Sequence, residues 1–75
     1  MNHIKVYKTN IDERPEADSI RNDIMNHFEN YVVSLDLNDC DKVLRVESLN
    51  GPVDDATVQT IVSARGHYIE RLPLH

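Results

Sequence analysis

Two apolar stripes at helical spacing, each set among runs that alternate at strand spacing, limit this chain to few architectures. Ala17, Ile20, Ile24 and Phe28 fall at i, i+3, i+7 and i+11, one face of a helix with His27 at its border. Val58, Ile61, Val62 and Arg65 make the second stripe, with the small Ala64 beside them. Before the first stripe, Ile4, Val6 and Lys8 alternate with Lys5, Tyr7 and Thr9, the period of a strand. After it, Val33, Leu35 and Leu37 alternate with Ser34, Asp36 and Asn38, predicting a strand with one wet face. Val43 to Glu47 reads as a return strand with Leu44 and Val46 inward, and Tyr68 to Leu72 as a short last strand.

The punctuation agrees with these elements. Ile11 is expected to tuck under the sheet as the chain turns, and Pro15 suits a first helical turn, where its missing N–H has no partner to lose. Glu29 and Asn30 end that helix, and Asn38 to Asp41 are turn formers that close a hairpin. Asn50, Gly51 and Pro52 break the chain, and Asp54 or Asp55 can cap the second helix. Gly66 fits the left-handed position that stops it, and Pro73 closes an edge strand. Strand, helix, strand, strand, helix, strand with right-handed crossovers predicts an α+β ferredoxin-like sandwich: a four-stranded antiparallel sheet with both helices on one face. At 75 residues the chain forms one domain over its whole length.

Charge and composition narrow the partners. A formal net charge of −5 without any Lys/Arg cluster opposes nucleic acid and anionic membrane surfaces, because both need a basic face. No stretch approaches the roughly 20 apolar residues that span a bilayer, so no membrane insertion is expected. The opening MNHIKVYK lacks the apolar run of a signal peptide, and a single cysteine suits a reducing compartment, so the expected location is cytoplasmic. With no Trp and four aromatics, the core must come mainly from Ile, Val and Leu, too little for a deep substrate cavity.

The stretch VSLDLNDCDKVLRVESLNGPVDDATVQTIVSARGHY resembles the second half of heavy-metal-associated, copper-chaperone-like domains. Val43 to Glu47, Val53–Asp54 and Ala64 to Tyr68 match that family's phrasing, with His67 inserted between Gly66 and Tyr68. The resemblance implies the same sandwich, and it implies that the junction of first strand and first helix is the functional end. There the family carries M-x-C-x-x-C. In this chain Ile11 takes the Met position, and Glu13 and Glu16 stand where the cysteines would be. Cu(I) selects sulfur ligands whereas carboxylates suit hard cations, so the copper ligands do not carry over and no cofactor is expected.

Asp12, Glu13, Glu16 and Asp18 crowd the start of the first helix, where free N–H groups and the helix dipole favour negative charge by about 0.3–1 kcal/mol each. The topology also brings Asp39, Cys40, Asp41 and His67 to that end. Two uses follow. Asp12, Glu13, Arg14 and Glu16 can form a docking surface that steers a basic protein partner, in a module without enzymatic activity. Alternatively Glu13, Glu16 and His67 hold a hard or borderline divalent metal weakly. A lone thiol between two aspartates reads as a turn residue. His3, His27, His67 and His75 show no short ligand spacing.

Two further readings rank lower. A small-molecule sensor of this topology uses a glycine in its first loop, and no glycine precedes Gly51. An acylphosphatase-like site would use Arg14, but its cradle glycines are missing and the nearby carboxylates repel a phosphate. Self-association through the open edges of the second and last strands is also available.

Overall fold

A computed structural model describes residues 3–73 of the chain. It contains β1 (His3–Thr9), α1 (Arg14–His27), β2 (Tyr31–Asp36), β3 (Val43–Ser48), α2 (Asp55–Ala64) and β4 (Ile69–Leu72). The strands form one antiparallel sheet in the order β2-β3-β1-β4, the expected ferredoxin-like layout. His75, grouped above with the other histidines, lies outside the described residues.

The register explains which residues are covered. Tyr7 lies opposite Leu44, Lys5 opposite Val46, and Val33 opposite Val46 on its other side. Tyr7, Leu44, Val46 and Val33 therefore share one face of the sheet, and all are buried beneath the helices. Ala17, Ile20 and Ile24 descend on them from α1, and Val58 and Val62 from α2. Ile11 is fully buried, as the turn after β1 requires. Phe28 and Ile61 pack at the margin of this core, and Phe28 stacks on Tyr31 with ring centroids 4.2 Å apart.

The helix ends follow their local chemistry. α1 begins one residue before Pro15 and ends at His27, slightly before Glu29, because Phe28 turns extended while its N–H still bonds Ile24 O. Asp54 caps α2: its Oδ1 accepts from Thr57 N at 3.1 Å and its Oδ2 from the Thr57 hydroxyl at 2.8 Å. Gly66, at φ +83°, ends α2 in the left-handed conformation. β4 starts at Ile69 because the Tyr68 N–H is taken by the Asn10 side chain at 2.9 Å.

Three connections meet at one end of the sheet, beside the end of β1. The β2–β3 turn is tied there by Thr9 N–H to Asp41 O at 3.0 Å and by the Thr9 hydroxyl to Lys42 O at 2.6 Å. The α2–β4 loop is tied there by Asn10, and the β1–α1 loop starts there.

Candidate functional site

That end gathers most of the residues that carry chemistry, yet it divides them into two groups. The sheet order places the β2–β3 turn toward one edge and the α2–β4 loop toward the other, with the β1–α1 loop between.

On the α2–β4 side, Glu16 sits in the first turn of α1 and faces Arg65 and His67 at the end of α2. Arg65 Nη1 donates to Glu16 Oε1 at 2.8 Å, and its Nε donates to Asp23 Oδ2 at 2.9 Å, with Nη2 on the same oxygen. His67 Nε2 lies 3.2 Å from Glu16 Oε2. Glu16 and Asp23 are i and i+7, so both project from the same face of α1 toward one guanidinium. The His67 hydrogen bond holds the Glu16 carboxyl below its usual range, helped by Arg65 and opposed by partial burial. Arg65 is pushed up, first by its bond to Asp23.

The geometry thus joins Glu16 to His67, but it fills the space between helix and loop with a cation. Glu13 takes no part: it is the N-cap residue of α1, exposed, and its side chain makes no capping bond. Among the described residues, the His, Cys, Asp and Glu side chains able to converge on one ion in a group of three are Asp39, Cys40 and Asp41, with ligand atoms within 4.8 Å. These belong to the exposed hairpin turn, where Asp39 Oδ1 accepts from Asp41 N at 2.8 Å and Asp41 lies 3.7 Å from Lys8 Nζ. Both aspartates are therefore satisfied by the protein itself.

The remaining members of the proposed docking surface separate likewise. Arg14 pairs with Asp18 one turn on, at 3.8 Å, both well exposed. Asp12 and Glu13 stand exposed in the loop between β1 and α1, and among the described residues neither side chain makes a hydrogen bond or ion pair.

Sequence reasoning assigned Arg65 to the apolar stripe and missed it as the hub of this end. A signal was present: two carboxylates seven residues apart on one helix invite a cation from the neighbouring helix. Asn10 was also missed; a short amide side chain just past a strand is a common partner for loop N–H groups.

A second polar pair lies on the helix side of the sheet. The phenol of Tyr7 donates to Asp55 Oδ1 at 2.7 Å, and Gln59 Nε2 donates to Asp55 Oδ2 at 3.0 Å. Burial and the adjacent carboxylate push the Tyr7 phenol far up, while the Tyr7 hydrogen bond pulls Asp55 down. No helix among the described residues is long and apolar enough to cross a membrane. No family model, no curated protein and no solved structure matches this chain.

Proposed function

We propose that this chain is a non-enzymatic interaction module that presents the acidic end of its sheet to a basic protein surface. The observation that carries this reading is the state of the carboxylates. Glu16, Asp18 and Asp23 are consumed by Arg65, His67 and Arg14, whereas Asp12 and Glu13 project into solvent with their charge uncompensated by any described neighbour. Carboxylates in that state raise association rates with a cationic partner and lose their effect as salt is added. The resemblance to heavy-metal-associated domains supports the same end as the docking end. The chemistry of Glu13 and Glu16 turns it from thiophilic metal toward protein. A metal at Glu16 and His67 would have to displace the Arg65 guanidinium, which the neighbouring Asp23 holds in place.

An NMR titration with a lysine-rich peptide as probe tests the reading. Amide shifts should concentrate on residues 12 to 14, fade with added salt, and vanish in the double variant Asp12→Lys, Glu13→Lys. Equal shifts in the variant and the wild type would refute the assignment.

A further inference from the structure

The end of the sheet opposite the candidate site, where Ser48 pairs with His3, holds a loop with chemistry of its own. β3 stops at Ser48, and the chain reaches the Asp54 cap of α2 through Asn50, Gly51 and Pro52. Of the chain's asparagines, Asn50 is the one followed by glycine. The main-chain nitrogen of a following residue can attack an asparagine side-chain amide at Cγ. A glycine obstructs that approach least, because it has no Cβ. Whether the attack proceeds in a folded chain depends on which of the groups involved the fold leaves unengaged.

Here both reacting groups are unengaged. Asn50 is exposed, and among the described residues neither its side-chain amide nor the Gly51 N–H has a hydrogen-bond partner. Gly51 lies at φ +80°, and nothing stands within 4 Å of where its Cβ would be, so the approach is not crowded. The oxygen of the same peptide unit is treated differently. Asn50 O accepts from Asn30 Nδ2 at 2.8 Å and from Ser48 Oγ at 3.1 Å. When Gly51 N loses its proton, negative charge spreads onto that oxygen, where two fixed donors stabilise it as in an oxyanion hole. The other described asparagines lack this combination. Asn10 accepts from Tyr68 N–H and precedes the branched Ile11, and Asn30 donates to Asn50 O and Ser48 Oγ. Asn22 and Asn26 lie within α1, and Asn38 precedes Asp39.

We infer that Asn50–Gly51 is a self-modification site, which water converts to aspartate and isoaspartate through a succinimide. The Gly51 N–H proton passes to a base in the solvent, the nitrogen bonds to Asn50 Cγ, and the Cγ–Nδ2 bond breaks as ammonia leaves with a proton from solvent. Water then opens the ring. Cleavage at Cγ leaves aspartate, whereas cleavage at the main-chain carbonyl leaves isoaspartate, whose backbone runs through the side chain and is one atom longer. Nothing is oxidised or reduced, and either product adds a carboxylate. The isoaspartate also lengthens a segment pinned at both ends, by Leu49 N–H on Asn30 O at 2.9 Å and by Asp54 N–H on the Tyr31 hydroxyl at 2.6 Å. The extra length falls just before the Asp54 cap, so conversion loosens the entry to α2.

The test incubates the intact chain at neutral and mildly alkaline pH, folded or in urea, and follows each asparagine by peptide mass spectrometry with an isoaspartate-specific readout. Asn50 should convert about tenfold or more faster than Asn10, Asn22, Asn26, Asn30 or Asn38, and faster as pH rises. Its conversion should be no slower folded than in urea. Asn30→Ala removes one donor to the developing charge, so it should slow conversion several-fold in the folded chain and leave the rate in urea unchanged. The comparison of folded and unfolded wild type keeps the test valid if circular dichroism shows that Asn30→Ala does not fold. A folded chain that converts Asn50 much more slowly than the unfolded chain, or no faster than its other asparagines, overturns the proposal. A folded Asn30→Ala chain that converts as fast as the wild type overturns the role given to the donors.

Discussion

Tyr7 and Asp55 are 48 residues apart in the chain, and the phenol of one donates to the carboxylate of the other at 2.7 Å. The bond ties the middle of a central strand to the first turn of α2. It also satisfies the one polar atom of a side chain that is otherwise wholly inside the core.

Tyr7→Phe should therefore destabilise the domain by about 1.5 kcal/mol, the value of a hydrogen bond to a charged acceptor, without disturbing the packing of the ring. Urea denaturation of both proteins at neutral pH measures this. The wild type should also lose stability in alkali. The native phenol has its pKa raised, so its contribution is complete below the ordinary tyrosine value of about 10 and falls as pH rises beyond it. In Tyr7→Phe that alkaline loss should shrink.

At the acidic limit the sign reverses. Glu16 is depressed in the folded state, chiefly by the His67 hydrogen bond and then by Arg65, so its stabilisation is present above the ordinary glutamate value and lost as pH falls through the native value. Glu16→Gln should flatten the acid limb of a stability-versus-pH curve below about pH 4.5. An acid limb unchanged by the substitution would show that the Glu16 bonds contribute nothing.

Leu44→Ala removes a fully buried side chain from the centre of the sheet. The expected cost is about 2–5 kcal/mol, a large share of the 5–15 kcal/mol typical of a whole domain. The midpoint of chemical denaturation should fall accordingly, and the amide spectrum should show whether a folded fraction survives.

Gly66→Ala isolates a backbone effect. A Cβ at that position meets no atom within 4 Å, so the cost arises from φ +83° alone and should be about 1–2 kcal/mol. Thermal melts of Gly66→Ala and Gly66→Asn distinguish the cause: the Asn variant, which tolerates the left-handed region better, should lose less.

Asp54→Ala should cost about 1 kcal/mol by leaving Thr57 N–H without its acceptor. Asp54→Ser, which restores an acceptor oxygen, should recover most of it in the same melt.

Nearly all of the architecture was legible from the amino-acid order. The stripe of Ala17, Ile20 and Ile24, the inward pair Leu44 and Val46, and the stops at Gly51 and Gly66 each express a local rule, and local rules act over a few residues at known periods. The face of β1 that enters the core was less legible. Ile4 and Val6 are its more apolar set, yet Tyr7 and Thr9 are buried, because Tyr7 has Asp55 and Thr9 has Lys42 and Ile11 to satisfy their hydroxyls. Such partners come from distant parts of the chain.

The same distinction governs the candidate site. Sequence alone determined that Asp12, Glu13, Glu16 and Asp18 crowd the start of the first helix, since the order of residues is the sequence itself. Only the tertiary structure decided which carboxylates remain available. Arg65 and His67 reach Glu16 across 49 and 51 positions of chain, and Arg65 takes Asp23 as well, leaving Asp12 and Glu13 exposed. Spacing along the chain encodes a pair within one helix, such as Arg14 with Asp18, but which cation arrives from another element depends on distance in space.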